Sequence, residues 1–121
     1  MPTIVRKSQS VMVETRRDTY WRVRPNIWRP PTDVYETEAN VVVKMEIAGM
    51  RDEDFEVEVQ DNLLLISGTR SDTMERKAYH QMEIPFGKFS VGIELPVRVD
   101  TDNATAEYKD GFLTIQLPKG K

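Results

Sequence analysis

The sequence predicts an all-β domain, a two-layer antiparallel β-sandwich, preceded by an N-terminal arm of different character. Apolar and polar residues alternate along several segments after residue 31, and short turn motifs separate some of these segments. No stretch of ten or more residues has a convincing period of 3.6, so we expect few helices. The chain has 121 residues, fewer than a typical domain of about 150, which favours a single hydrophobic core.

Four segments of the predicted domain carry the alternation most clearly. Their apolar rows are Val41, Val43, Met45 and Ile47; Phe55, Val57 and Val59; Phe89, Val91, Ile93 and Leu95; and Leu113, Ile115 and Leu117. Mostly polar residues occupy the positions between them. Because successive side chains of a strand point to opposite faces, each segment has an inner apolar row and an outer polar row. Two sheets that pack by their inner rows form a sandwich.

Two turn motifs support this arrangement. Asp61-Asn62 lies between the strand that ends at Gln60 and the strand that begins at Leu63. Asp110-Gly111 occupies the same position between the segments 104–109 and 112–117. Asp, Asn and Gly tolerate the positive φ angles of two-residue hairpin turns, so both motifs predict hairpins.

The segment from Gly68 to Lys88 is too long for an ordinary loop in a compact domain. Within it, a short alternating stretch predicts a strand that has no place in its own sandwich. The stretch comprises Tyr79, His80, Gln81, Met82, Glu83 and Ile84. Such a strand can pair with the edge of a second subunit and satisfy the backbone groups of both. We therefore hypothesise a dimer formed by strand exchange.

The arm, residues 1–31, ends at Pro30-Pro31, which disfavours a helix running into the domain. Residues 1–30 carry seven basic and two acidic side chains, whereas the remainder carries ten basic and eighteen acidic ones. The basic residues are scattered, which favours docking on the acidic bodies of the protein's own oligomer over binding to nucleic acid or membrane.

The arm also contains large apolar residues, which gives it two interpretations. It is either a disordered leader without a role or an amphipathic arm that buries these residues in a partner. If the partner is an unfolding client protein, the best candidates for contact with it are Met12, Tyr20, Trp21, Ile27 and Trp28.

Several function classes receive no support. The chain has no cysteine and no G-x-x-x-x-G-K-[S/T] phosphate loop, and His80 is its only histidine. We therefore expect no enzyme activity, no metal and no cofactor. The first residues lack the features of a signal peptide, and no apolar run approaches the roughly 20 residues that span a bilayer, so we expect a cytoplasmic protein.

Five sequence blocks together resemble the small heat shock proteins, the α-crystallin-domain family also called Hsp20. The most specific block, Ala106–Leu113, is similar to the family's A-x-x-x-[N/D]-G-x-L signature, in which Ala106, Asp110, Gly111 and Leu113 form the signature turn. The other blocks are Pro31–Glu36, Ile47–Met50, Leu65–Arg70, and Tyr79-His80 with Phe86–Phe89 and Leu95-Pro96. The resemblance extends from Pro31 to Lys119.

The resemblance implies an immunoglobulin-like β-sandwich, the α-crystallin domain, over residues 32–119, with a flexible arm at 1–31 and a residual tail at 120–121. It implies an ATP-independent holdase chaperone that binds unfolding proteins, and a homodimer formed by strand exchange that can assemble into a higher oligomer. It also implies an apolar groove between two strands, lined by Phe55, Val57, Val59, Ala104 and Ala106.

The sequence departs from the family pattern in two places. No Ile-x-Ile motif follows Pro118, so docking of a C-terminal tail in the groove is not expected from this chain. Val11-Met12-Val13 has the spacing to fill the groove instead. Val91 stands where bacterial members often carry Arg, so an interfacial ion pair is expected to be missing.

Two other functions remain as alternatives. One is a co-chaperone adaptor of the p23 or CS type, which binds one folded partner through a similar sandwich. The other is a β-sandwich hydrolase or sugar-binding module, which usually needs exposed aromatic rows or an acid pair in a cleft.

Overall fold

The structure is a computed structural model, which describes the backbone of residues 5–7 and the whole of residues 27–120. Three of the candidate client-contact residues, Met12, Tyr20 and Trp21, lie outside the described residues, as does the Val11-Met12-Val13 triplet.

The described residues form eight strands in two four-stranded sheets. They are β1 (Val5–Lys7), β2 (Thr32–Glu36), β3 (Asn40–Glu46), β4 (Phe55–Gln60), β5 (Leu63–Arg70), β6 (Gly87–Glu94), β7 (Thr105–Lys109) and β8 (Phe112–Pro118). One sheet has the order β1-β4-β5-β6 and the other the order β2-β3-β8-β7. All neighbours are antiparallel except β1, which runs parallel to β4. Only two short 3-10 helices, Asp52–Asp54 and Thr101–Asn103, interrupt the strands in this part of the chain. The predicted all-β sandwich is confirmed.

The core lies between the two sheets and consists of the apolar rows that the alternation predicts. Along β4, Phe55, Val57 and Val59 are buried, whereas the residues between them are exposed or half-buried. The register places Val57 opposite Ile66 of β5, so these buried side chains share one face of the sheet. Burial of each such aliphatic side chain contributes roughly 1.5–3 kcal/mol to folding.

Two strands, β1 and β2, were not predicted from the sequence pattern. In β2, only Thr32 is even half-buried and the other four residues are exposed. Backbone pairing with β3 makes it a strand, and an edge strand that buries little has no reason to alternate. In the same way β1 is defined by its backbone pairing with β4.

Both predicted hairpins are present. Asp61 has a φ of 55° in the turn between β4 and β5, and Asp110 and Gly111 have φ values of 54° and 84° between β7 and β8. The second hairpin also anchors the segment after β3, because Ile47 N donates to Gly111 O at 2.8 Å. In addition, the Tyr108 hydroxyl donates to Ile47 O at 2.7 Å and accepts from Met50 N at 3.3 Å.

A side chain at Gly111 should destabilise the domain through backbone strain. The φ of 84° is in the left-handed region, and an added Cβ would lie 3.4 Å from Ala48 Cβ. We expect Gly111→Val to lower the free energy of unfolding by about 1–3 kcal/mol, measured by urea unfolding at a fixed protein concentration. Gly92→Val is the control, because nothing lies within 4 Å of a Cβ at Gly92 and its φ is not positive. Equal unfolding midpoints for the two variants would contradict the strain at Gly111.

Candidate functional site

The long loop between β5 and β6, residues 71–86, presents apolar side chains to solvent. It forms no strand within this chain. Its predicted strand includes Met82 and Ile84, whose residues are 61% and 62% exposed, and Tyr79 is 48% exposed. Gln81 and Glu83 are exposed as well. Exposed apolar clusters commonly mark sites of contact with another molecule, so the loop is a candidate for contact with another chain.

The outer edge of β2 is a second exposed surface. β2 pairs with β3 on one side, and no other strand within residues 27–120 pairs with its second side. Two adjacent residues of this edge, Val34 and Tyr35, are 40% and 47% exposed. Val34 lies opposite the fully buried Val43, so it points toward the core side at a place where the core is not covered. An edge strand with exposed apolar side chains is a template for a further strand.

The predicted groove residues lie on β4 and near or on β7, which belong to opposite sheets. Phe55, Val57 and Val59 have their side chains in the core, at most 6% exposed, and Ala106 is 4% exposed. Ala104 is half-buried and packs against the same core. The small alanines and these buried side chains therefore contribute mainly to the sandwich interior, and any groove here depends on the strand edges.

The edge of β4 is paired in this structure. β1 runs parallel along it, with Val5 opposite Val57 and Lys7 opposite Val59. An N-terminal segment of the chain thus pairs with the β4 edge of the predicted groove, the place expected for Val11-Met12-Val13, a triplet that lies outside the described residues.

The last two candidate client-contact residues, Ile27 and Trp28, are half-buried. Trp28 packs against the core, with its ring 5.6 Å from the ring of Phe89 in an edge-on arrangement. Its backbone N donates to Lys88 O at 3.3 Å, its backbone O accepts from Ser90 N at 3.4 Å, and its Nε1 donates to Gly87 O at 3.3 Å. Contact between the arm and the sandwich therefore begins before Pro30-Pro31.

Arg70, the last residue of β5, links several of these features. Its Nε and Nη2 donate to Pro85 O at the far end of the loop, at 3.0 and 2.5 Å, and its Nη1 donates to Ala48 O at 3.1 Å. The guanidinium carbon lies 4.5 Å from the ring centre of Trp28 and 5.5 Å from that of Phe86. Both distances are within the range of cation–π contacts.

A local cluster of polar side chains orders the first half of the loop. Asp72 accepts hydrogen bonds from Lys77 Nζ at 2.9 Å and from the Tyr79 hydroxyl at 2.7 Å. These hydrogen bonds, Lys77 first and Tyr79 second, hold the pKa of Asp72 below its usual value. The same contact with Asp72 raises the pKa of Lys77. The pair is therefore ionised near neutral pH, and it holds Tyr79 close to the start of the loop.

The sequence pattern predicts β4 and the segment that contains β7, but it does not predict two features that define these surfaces. It did not identify β2 as an exposed edge, since exposure removes the alternation on which the prediction depends. It also gave Arg70 no role, because its carbonyl partners are 15 and 22 residues away and no local spacing indicates them. The position of an arginine at the last residue before a long loop is the one signal that could have indicated it.

No metal or membrane-spanning feature is found in the part of the chain that the structure describes. His80 lies exposed in the loop, and no group of three or more His, Cys, Asp or Glu side chains there could hold a metal ion. None of the helices in these residues has the length and apolar character needed to cross a bilayer.

Comparison with known sequences gives a match to a family model described as the Hsp20/alpha crystallin family, over residues 33–121. Small heat shock protein C4 of Rickettsia felis is 36% identical over 95 residues, which cover 77% of this chain and 58% of that protein. A probable 15 kDa heat shock protein of Leptospira interrogans is 29% identical over 115 residues, 95% of this chain and 85% of that protein. This chain spans about 60% of the length of the first curated relatives that it matches.

Comparison with solved structures gives the same fold. Heat shock protein 16.0 of Schizosaccharomyces pombe superposes with a TM-score of 0.72 at 32% identity, covering 80% of this chain and 78% of that chain. The hspA protein of Xanthomonas axonopodis superposes with a TM-score of 0.70 at 29% identity, covering 76% and 94% of the two chains.

Proposed function

Because this chain belongs to the Hsp20/alpha crystallin family, we propose that it is an ATP-independent holdase that binds unfolding proteins and prevents their aggregation. The observation that carries the proposal is the family match over residues 33–121, with a β-sandwich that superposes on small heat shock proteins. Client binding requires only the burial of apolar surface. This burial lowers the free energy by about 25 cal/mol per Å² and needs no nucleotide, metal or catalytic residue.

The proposed functional unit is a homodimer formed by strand exchange. In it, the loop strand Tyr79–Ile84 of each subunit pairs with the outer edge of β2 in the other. Two observations support this arrangement: β2 has an edge without a partner strand in residues 27–120, and both the loop and β2 expose apolar side chains. Pairing gives the free backbone groups of the edge hydrogen-bond partners and covers the exposed side chains of Val34 and Tyr35.

Client contact is assigned to the arm, through Met12, Tyr20, Trp21, Ile27 and Trp28. The acidic remainder of the chain, with ten basic and eighteen acidic residues after residue 30, keeps a client complex soluble by charge repulsion between complexes. We further propose that the protein acts in the cytoplasm and has no enzyme activity.

The holdase is tested by heating an aggregation-prone enzyme with and without this protein, in the absence of ATP, and following turbidity. We expect turbidity to fall as the protein is added and to be nearly abolished at several-fold molar excess. Bovine serum albumin at equal mass concentration controls for nonspecific protection. Undiminished turbidity at several-fold excess would contradict the proposal.

A variant that lacks residues 1–26 tests the assignment of client contact to the arm. This deletion keeps Trp28, whose contacts with Phe89 and Gly87 belong to the domain. We expect it to retain the dimer in sedimentation analysis and to protect less in the turbidity assay. Equal protection by the truncated and full chains would exclude Met12, Tyr20 and Trp21 as client contacts and leave only Ile27 and Trp28 of the assigned residues.

A further inference from the structure

Arg70 holds the two ends of the long loop together. The residue stands immediately before the loop, and its Nε and Nη2 donate to the carbonyl of Pro85, close to the loop's end. Its Nη1 donates to Ala48 O, which fixes the guanidinium against the turn after β3. No carboxylate within residues 27–120 pairs with it. The position of this charge therefore depends on the carbonyls of Pro85 and Ala48 and on the rings that flank it.

Those rings connect the loop with the arm. The guanidinium carbon of Arg70 lies 4.5 Å from the ring centre of Trp28 and 5.5 Å from that of Phe86. The same cation therefore contacts an arm residue and a loop residue. The remaining contacts of Trp28 are with Gly87, Lys88, Phe89 and Ser90, the residues that directly follow the loop. Every described hydrogen bond and ring contact of Trp28 is thus made either with Arg70 or with the residues Gly87–Ser90 of β6, the strand that begins where the loop ends.

We propose that Arg70 is a latch between the loop and Trp28, so that displacement of the loop toward a second copy of this chain uncovers the ring face of Trp28, while the contacts of Trp28 with β6 remain. The proposal rests on the strand-exchanged dimer described above. When Pro85 and Phe86 move with the loop, Arg70 loses two of its three hydrogen bonds and one of its two rings. Trp28 then loses the cation that covers its face and becomes accessible to an extended apolar polypeptide.

The latch makes the exposure of Trp28 depend on dimer formation. A chain whose loop is closed keeps Trp28 half-buried, and a chain whose loop is engaged by a second copy presents it. Loss of a single exposed cation–π contact changes an equilibrium by roughly two- to fivefold. We expect a change of that size in the equilibrium between chains whose Trp28 ring face is covered by Arg70 and chains whose ring face is open.

The test uses the full chain with Trp21→Phe, which leaves Trp28 as the only tryptophan. Acrylamide quenching of its fluorescence is measured without client over a dilution series, with sedimentation at each concentration. We expect the quenching constant to rise about two- to fivefold as monomer converts to dimer. Adding Arg70→Ala should give high quenching at every concentration, and so should Arg70→Lys, which keeps the charge but not the bidentate hydrogen bonds.

Arg76→Ala is the matched control, because Arg76 is an exposed arginine of the same loop with no described contact to Trp28. It should behave like the parent protein. Quenching that stays the same in monomer and dimer, or that Arg70→Ala leaves unchanged, would overturn the latch, as would a chain that remains monomeric throughout. The two proposals fail in different assays. If quenching changes with concentration but the protein gives no protection in the turbidity assay, the holdase activity is contradicted and the latch is not.

Discussion

Gly68→Ala should lower the free energy of unfolding by about 3 kcal/mol, although it adds a single methyl group. Gly68 lies in β5, where the register sets it between Phe55 of β4 and Phe89 of β6. The rings of these two residues contact each other edge-on, with their centres 6.3 Å apart. A Cβ at this position would lie 2.5 Å from the backbone oxygen of Asp54 and 2.9 Å from Phe89 Cζ.

The size of the effect follows from what surrounds the added methyl group. The Asp54 oxygen belongs to the backbone and cannot rotate away, and Phe89 is 1% exposed and enclosed by the core. Relief therefore requires the sheet to shift or the aromatic ring to leave its rotamer, and both are costly in a close-packed interior. For a domain whose total stability is about 5–15 kcal/mol, this is a large fraction.

Chemical denaturation followed by circular dichroism, at one protein concentration, measures the effect. Gly92→Ala is the matched control, because Gly92 is also a strand glycine but has nothing within 4 Å of an added Cβ. It should leave stability within about 0.5 kcal/mol of the parent or raise it slightly, since alanine loses less backbone entropy on folding. Equal destabilisation by the two substitutions would show that Gly68 is not a packing requirement.

Charges on the loop strand should abolish the proposed dimer. Met82 and Ile84 are two residues apart and thus share one face of the predicted strand, which strand exchange would cover. In the double variant Met82→Lys and Ile84→Lys, two ammonium groups without partners would enter that interface. We expect the dissociation constant of the dimer to rise at least about 100-fold, because burial of an unpaired charge costs several kcal/mol.

Sedimentation equilibrium measures that constant, and the turbidity assay shows whether protection is lost with the dimer. Met74→Lys is the control in the same loop, since Met74 is 97% exposed and lies outside the predicted strand. It should leave both the dimer and the protection unchanged. If the double variant dimerises as well as the Met74 variant, residues 79–84 do not form the interface.

The fold could be predicted from the sequence wherever a strand buries one face. Val57 and Ile115 alternate with polar neighbours because the core excludes water from one side of β4 and β8. The turn between β7 and β8 could be predicted too, because Asp110 and Gly111 tolerate the positive φ angles that the structure shows there.

The edges and the junction of arm and domain could not be predicted in this way. β2 is held by backbone pairing with β3 and by one ion pair, Glu36 with Lys119 at 3.0 Å, and neither produces a local pattern in the sequence, so its identification depends on β3 being in place. The sequence places Trp28 in an arm that is either disordered or buried in a partner, whereas Phe89 and Arg70 of the same chain, 61 and 42 positions away, pack against it. Contacts at such separations arise from the register of the sheet and not from any local pattern.

The pairing of β1 with β4 has a consequence for how this chain responds to its own concentration. The strand is tethered to β4 because both belong to the same chain, so its effective concentration beside β4 does not fall on dilution. A competing strand from another molecule displaces it only when its own concentration reaches that effective concentration. At low abundance the tether therefore keeps this edge from templating unwanted polymers.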